Sequence, residues 1–321
     1  MRLLIDANNI AYRADKTQHL TTKQGESVGA IYGVIQMLNS YVKPSDSTYK
    51  NHIMDALKPY VSDIEKGFTS VVTCWDVGKS AFRLKLYPDY KGQREIRRAE
   101  KTEEEKEEFR RLIEQMNILR DSLPIFGVKS LSLPGWEADD LIYTTTQLST
   151  EPCVVVSTDA DMLQLVSENV FVWQPFKSVL YTLDNFEELT GVKKDVYLQM
   201  RTLVGDSSDN IPGIHGIGPK TAAKLLNEYG SLEGIIKNHA ELMKKKTTAR
   251  IFENIEILDR NDALMNMNRI PFETIKPYVQ EALEKEESFD MKAVKKFLIR
   301  YQFVSILKYV KQMEQTFGKL S

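Results

Sequence analysis

Cysteine, net charge and long apolar runs are all scarce in this sequence, and each scarcity removes a class of explanation. Two cysteines, Cys74 and Cys153, occur in 321 residues. Both lie inside apolar runs, which reads as buried free thiols rather than a disulfide framework or a thiolate metal site, and which suits a reducing compartment. The 43 Lys and Arg nearly cancel the 45 Asp and Glu, leaving a formal net charge of -2. A nucleic-acid role therefore cannot rest on overall basicity, and any charge that matters must be segregated. No apolar run approaches the ~18 residues of a membrane span, and the opening Met-Arg-Leu-Leu-Ile-Asp turns acidic too early for a secretory leader. The expectation is a soluble protein of the cytoplasm, or of the host cytoplasm if phage-encoded, with no membrane partner. Repeats and low-complexity linkers are also missing. What is present is apolar sequence, 42% of the chain, enough to bury one large domain plus a satellite.

The apolar residues have a grammar. Arg2-Leu-Leu-Ile runs into Asp6; Ser70-Val-Val-Thr-Cys-Trp runs into Asp76; Cys153-Val-Val-Val-Ser-Thr runs into Asp159 and Asp161. Three β-branched runs, each ending in acid and separated by helical segments, predict an α/β fold with a mostly parallel central sheet whose carboxyl edge collects Asp. Ligands of open α/β sheets bind at that edge. Between the first two strands, residues 27–42 have helical period through Val28, Ile31, Ile35 and Leu38. A second amphipathic helix is predicted from Ile53 through Tyr60 to Ile64.

Basic and aromatic residues alternate after Asp76. Lys79, Arg83, Lys85, Lys91 and Arg94 are interleaved with Phe82, Tyr87 and Tyr90, a mixture suited to a phosphate backbone with a base stacked beside it. The charge-dense stretch 94–121 then carries a capping-box pattern at Thr102 and Glu105 and an apolar stripe from Phe109 to Leu119. It reads as a solvated helix or as a basic arm over a nucleic acid. Glu137, Asp139 and Asp140 open another helix, where acid also complements the helix dipole.

Residues 203–226 hold two unlike devices. Asp206 and Asp209 are spaced i, i+3, so that on a turn or helix start both carboxylates face one way and suit a divalent cation. Gly213, Gly216 and Gly218 then form a short loop with exposed amides before a helix opening at Pro219, with Lys220 and Lys224 one turn apart. Such a loop can hold a phosphate without reading a base, although a plain Gly-rich turn with surface lysines has the same composition. The remainder reads as helical, with a lysine cluster at Lys244–Lys246 that is either solvated or in contact with phosphate.

Asp6, Asp76, Glu137, Asp139, Asp140, Asp159, Asp161, Asp206 and Asp209 thus gather at one sheet edge. So many carboxylates in a shared cleft repel one another unless cations are present. Oxygen donors with no His or Cys beside them favour Mg²⁺ or Mn²⁺ over zinc.

These motifs, together with Tyr90-Lys91-Gly92-Gln93-Arg94 and Gly205-Asp206-Ser207-Ser208-Asp209-Asn210, occur in order over residues 6–230 and resemble the 5′-nuclease superfamily. That superfamily comprises flap endonucleases and 5′-3′ exonucleases, including the 5′-nuclease domain of bacterial DNA polymerase I; phage enzymes look closest. The resemblance implies a core over 1–190 with a helical arch at 91–122. It also implies a helical subdomain over 191–321, with a three-turn helix-hairpin-helix-type DNA-binding element at 205–226 and terminal helices packing back on the core. It implies two metal ions, one served by Asp6, Asp76, Glu137 and Asp139, the other by Asp159, Asp161, Asp206 and Asp209, with Asp140 between them. Lys91 and Arg94 are implied at the scissile phosphate, Arg83 and Tyr90 at the nucleic acid with Tyr90 stacking, and K⁺ at the hairpin carbonyls. The implied activity is two-metal phosphodiester hydrolysis in 5′-flap or 5′-ended DNA, extending to RNA primers, by a monomer that meets flaps, nicked or gapped duplexes, RNA-DNA hybrids and replication proteins. A PIN-type ribonuclease shares the acidic edge, but its compact members lack the hairpin and the Tyr-Lys-Gly-Gln-Arg segment. A non-catalytic junction-binding protein would have replaced some of the acids. The link at 43–68 looks longer than in compact phage members, and no sliding-clamp peptide is evident.

Overall fold

The computed structural model describes residues 1–45 and 49–320. A six-stranded sheet with order β3-β2-β1-β4-β5-β6 forms its centre. The strands are β1 (Arg2–Asp6), β2 (Ser70–Trp75), β3 (Lys129–Ser132), β4 (Cys153–Val156), β5 (Val170–Gln174) and β6 (Val179–Tyr181). All neighbouring pairs are parallel except β5 with β6. Asp6 lies opposite Cys74, and Ile5 opposite Val156. The carboxyl ends of β2, β1 and β4 therefore finish level, and residues just beyond them meet.

Both faces of the sheet are covered, which is why the strands read as continuous apolar runs. Helices α1 (Ala7–Thr17), α2 (Gly29–Val42) and α3 (His52–Leu57) follow β1; α4 (Ala81–Leu86), α5 (Gly92–Ala99) and α6 (Glu103–Ser122) follow β2; α7 (Ala138–Leu148) joins β3 to β4. On one face Leu3, Ile5, Val71, Val154 and Val156 pack with Ile10, Ile31, Leu38 and Leu119. Val294, Phe297, Met313 and Phe317, from the helices Met291–Arg300 and Val310–Phe317, return to this same core. On the other face Leu4, Val72, Cys74 and Val155 pack with Leu141 and Ile142 of α7 and with the helical half of the chain. That half opens with α8 (Phe186–Thr190), α9 (Lys194–Val204), the short hairpin β7 (Gly205–Asp206) with β8 (Ile211–Pro212), and α10 (Pro219–Tyr229).

One element departs from the sequence expectation. The helix predicted over 53–64 ends at Leu57. Pro59 has no main-chain N-H to continue the ladder, and the helix stops although Lys58 before it keeps right-handed helical geometry. Asn51 starts that short helix: its Oδ1 accepts from Ile53 and Met54 N-H groups at 3.0 and 3.1 Å, and its Nδ2 donates to the Tyr41 and Lys43 carbonyls at 2.6 and 2.8 Å. Of the link expected to be long, residues 46–48 lie outside the described residues.

α1 and α2 approach closely because Gly33 has no side chain: a Cβ there would stand 2.6 Å from the Ala14 Cβ. Gly33→Val is expected to push α2 away from α1 and cost about 1–3 kcal/mol, as overpacking does, read as a lowered midpoint in urea unfolding.

Candidate active site

Each strand end is built into the site by its own local chemistry. Asp6 closes β1 and caps α1, accepting from the Asn9 N-H at 3.3 Å through Oδ1 and from the Ser157 hydroxyl at 2.7 Å through Oδ2. Asp76 follows β2 and accepts from the Ala138 N-H at 2.7 Å, which ties β2 to the start of α7. Asp159 follows β4 and accepts from the Asp161 N-H at 2.8 Å. Two asparagines lace these ends together. Asn8 Oδ1 accepts from the Asp76 N-H at 2.9 Å, and Asn9 Oδ1 accepts from the Thr158 hydroxyl at 2.8 Å. Neither asparagine was singled out from sequence, although both sit directly after Asp6.

The acids divide into two electrostatic groups. In the first, burial and mutual repulsion hold the carboxyls above their ordinary range. Asp6 is pushed up to about 7 by burial and then by Asp76, and Asp161 to about 7 by burial, with Asp159 adding to it. Asp139 is raised well above its usual value by burial and by Asp159, Asp6 and Asp76; burial raises Asp76 and Asp159 as well, the latter helped by Asp209 and Asp206. In the second group, cations win over burial. Burial would raise Glu137, yet Lys91 and Arg83 hold it below its ordinary value; Asp206 is likewise held low by Ser208 and Arg201.

Lys91 enters the α5 turn in the left-handed region, with φ 56°. Its main-chain N-H donates to the Asp209 carbonyl at 2.8 Å, and its Nζ reaches Glu137 Oε1 at 2.6 Å and Asp209 Oδ2 at 3.7 Å. Arg94, one turn on, places Nη2 2.7 Å from Asp209 Oδ1 while staying part-exposed. Arg201 of α9 bridges Asp161 and Asp206, with Nη2 2.7 Å from each. Sequence reading passed over Arg201, because a lone Arg in a helical stripe carries no motif.

Several expected site residues are placed differently. Arg83 is 4% exposed and turned inward. Its Nη1 donates to Asp140 Oδ2 at 3.0 Å, its Nη2 stands 2.8 Å from Asp140 Oδ1 off the hydrogen-bonding direction, and its Nε donates to the Leu264 carbonyl at 2.9 Å. Tyr90 is 2% exposed, and its hydroxyl lies 2.8 Å from a Glu137 carboxylate oxygen and 3.0 Å from one of Asp209, with its one hydrogen to offer between them. In this structure both are turned inward onto the acids rather than toward solvent. Asp140 is fully buried; its Oδ2 also accepts from the Glu137 N-H at 3.0 Å, completing a capping box at the start of α7. In this structure it holds Arg83 and the helix end.

Asp206 and Asp209 sit on the β7–β8 turn, not on a helix start. Asp206 curls back to accept from the Ser208 N-H at 2.7 Å and pairs with Arg201, whereas Asp209 pairs with Arg94, so the two carboxylates engage different cations. Gly213 is also used otherwise than expected: a Cβ there would fall 2.0 Å from the Val204 carbonyl oxygen, so it serves close passage of two backbone segments. Gly216 has φ +86°, and Gly218 caps α10 with open space around it. Lys220 and Lys224 are exposed on α10.

The donor set fits a divalent cation chemically. The unpaired member, Asp139, has no ion pair or hydrogen bond among the described residues, while its neighbours Asp6, Asp76 and Asp159 all raise it. A dipositive ion is the species that relieves such a set. Among the described residues no three His, Cys, Asp or Glu side chains are drawn closely enough to enclose an ion; Glu137, Asp161, Asp206 and Asp209 are turned onto Lys91, Arg201 and Arg94 instead.

A sheet whose acidic carboxyl edge faces a cationic helical arm, with a Gly-rich hairpin beside it, defines an α/β nuclease architecture. A family profile described as "5′-3′ exonuclease, N-terminal resolvase-like domain" matches residues 1–191, and one described as "5′-3′ exonuclease, C-terminal SAM fold" matches 192–284. A 5′-3′ exonuclease of Aquifex aeolicus is 30% identical over 302 residues, covering 91% of this chain and 93% of that protein. The thermostable DNA polymerase I of Thermus thermophilus is 30% identical over 309 residues, covering 95% of this chain but 32% of the polymerase, so the chain spans about a third of that relative. Among solved structures, the T5 5′-exonuclease with bound divalent metal ions (zinc) aligns with TM-score 0.67 at 23% identity, covering 99% of this chain and 100% of that one. The bacteriophage T5 flap endonuclease in complex with DNA and metal ions aligns with TM-score 0.61 at 23% identity, over 98% of this chain and 99% of that one; at this identity the likeness establishes the fold. The chain belongs to the 5′-3′ exonuclease family. No helix among the described residues is long and apolar enough to cross a membrane.

Two outcomes follow from the electrostatics. Arg83→Met leaves Asp140 and part of Glu137 buried without their cation, and is expected to cost about 3–5 kcal/mol, seen as a lowered denaturant midpoint with unchanged slope. Asp6 and Asp161 hold protons more tightly folded (about 7) than unfolded (3.8). In metal-free protein their contribution to stability is therefore present below about pH 4 and is lost as pH rises toward 7. The gain in melting temperature on replacing EDTA by Mg²⁺ is accordingly expected to be larger at pH 8 than at pH 5; equal gains would contradict the assignment of these carboxyls to a cation site.

Proposed function

We propose that this nuclease is structure-specific, cutting phosphodiester bonds in 5′-flap or 5′-ended DNA as a 5′-3′ exonuclease and flap endonuclease, with two Mg²⁺ ions for which Mn²⁺ can substitute. The observation that carries this reading is the row of buried, mutually repelling carboxyls at three adjacent strand ends, with two cations of the arch base directly beside them. Asp6, Asp76, Glu137 and Asp139 would hold one ion, and Asp159, Asp161, Asp206 and Asp209 the other. When bound, such a pair supplies an activated water and charge neutralisation on the leaving oxygen.

The chain's own residues do the rest. Lys91 and Arg94 stand at the mouth of the acid edge, where they neutralise phosphoryl oxygens as charge develops. Arg94 is the more accessible and suits capture; Lys91, anchored on Glu137, suits fixed alignment. The amides at Gly216 and Gly218 and the exposed Lys220 and Lys224 offer a grip for duplex phosphates that reads no base. Gly213 supports that turn from beneath. K⁺ at the hairpin carbonyls belongs to the same reading, though Arg250 Nη1 already donates to the His215 carbonyl at 3.1 Å, so an ion there uses the other carbonyls of the turn. The helices α5 and α6, over 91–122, are the arch that admits a 5′ single strand.

The division into a core over 1–190 and a helical part over 191–321 is supported by the profile boundary between residues 191 and 192. Flaps, nicked or gapped duplexes and RNA-DNA hybrids are the proposed partners. Action as a monomer, in the cytoplasm and alongside replication proteins, completes the proposal.

The test is cleavage of a 5′-labelled flap duplex and of a matched single-stranded RNA in Mg²⁺ or EDTA. Wild type is expected to cut the flap near its junction only with Mg²⁺, Asp139→Ala to bind without cutting, and Lys91→Ala to lose about 10²–10³ in kcat with little change in KM. A flap bound but uncut under every metal would favour a junction-binding role, and cutting of RNA alone a ribonuclease.

A further inference from the structure

The two sets of acids differ in their cations. Asp6, Asp76 and Asp139 form no ion pair among the described residues, whereas Asp161 and Asp206 share one: Arg201 Nη2 stands 2.7 Å from Asp161 Oδ1 and 2.7 Å from Asp206 Oδ2. We propose that Arg201 is a built-in competitor of the second metal ion, a positioning residue that sets how tightly that ion binds. The inference rests on the reading that Asp159, Asp161, Asp206 and Asp209 serve that ion.

The carboxylate oxygens leave little choice. Asp206 Oδ1 accepts from the Ser208 N-H at 2.7 Å and from the Asp209 N-H at 3.3 Å, while Asp206 Oδ2 accepts from Arg201. Both oxygens are therefore engaged. The two N-H groups belong to the backbone of the turn between β7 and β8; Arg201 is a side chain on α9 and is the partner that can leave. On Asp161 a single oxygen, Oδ1, accepts from Arg201 twice, from Nε at 3.0 Å and from Nη2 at 2.7 Å. An ion shared by Asp161 Oδ1 and Asp206 Oδ2 would take the place of Nη2. A guanidinium and a dication do not share it, because like charges in contact repel strongly away from bulk water.

Proton loss does not clear the way either, since a guanidinium keeps its charge at any pH at which the protein is folded. Only a competing cation removes it. The Arg201 side chain keeps 15% of its surface accessible, so it is not enclosed. In metal-free protein it also relieves the repulsion between Asp161 and Asp206. Removing Arg201 therefore acts in opposite directions with and without metal, which a purely supporting side chain would not do.

The test is calorimetric titration of the full chain with Mn²⁺, in the absence of nucleic acid, for wild type, Arg201→Met, Arg201→Lys and Arg120→Met, with melting temperatures taken in EDTA. Wild type is expected to bind two ions, one more weakly than the other. In Arg201→Met the weaker ion is expected to bind at least about tenfold more tightly, because two charge-assisted hydrogen bonds no longer have to be given up, while the melting temperature in EDTA falls. Arg201→Lys keeps the charge without the fork that spans both carboxylates and is expected to lie between. Arg120→Met, which breaks the pair with Asp121 on α6, is expected to bind both ions as wild type does. If Arg201→Met does not fold, Arg201→Lys carries the test. Two ions bound with wild-type affinity in the folded variants, or a second ion bound more weakly, would overturn the role of Arg201 and leave the two-ion reading standing; a wild type that binds fewer than two ions would overturn both.

Discussion

One buried ion pair, Lys91 to Glu137 at 2.6 Å, joins the start of α5 to the acid edge. Glu137 caps α7, and α7 is fixed to β2 through the Ala138 N-H and Asp76. Lys91 opens α5 and is fixed through its own main chain to the Asp209 carbonyl of the hairpin. Three parts of the molecule, sheet edge, α5 and hairpin, thus meet at one cation. A pair this buried is held by its partners more than by its own attraction, since desolvating both charges consumes much of the Coulombic gain. Tyr90, Arg83 and Asp140 supply those partners. Residues that look like a nucleic-acid surface in the sequence are the scaffold under the pair.

This explains what was and was not legible beforehand. The strands and their terminal acids were legible because a parallel sheet buried on both faces demands apolar runs, and only a functional or capping need puts Asp at each end. The helix α6 was legible through Thr102 and Glu105, whose reciprocal capping box is present. By contrast, Arg83, Tyr90, Lys91 and Arg94 share one composition and one stretch, yet the first three are buried and Arg94 stays part-exposed. Sequence order does not encode that choice; the fold around the left-handed Lys91 at the start of α5 does. Arg201 escaped for a related reason, being a single cation whose partners Asp161 and Asp206 are distant or off-period in sequence.

The hairpin shows the same division of labour among glycines. Gly213 is required by close backbone packing against Val204, and Gly216 by its positive φ. Gly218 meets neither need: a Cβ there would find nothing within 4 Å. Residue type alone made the three equivalent; their neighbours separate them.

The placement of β1 between β2 and β4 has a consequence for the order of assembly. The acids come from segments at 6, 76 and 159 that are adjacent in space and far apart along the chain. Until β4 docks beside β1, a growing or partly folded chain has no complete ligand cluster to offer an ion. Under the proposed metal role, cation capture would follow completion of the sheet rather than nucleate it.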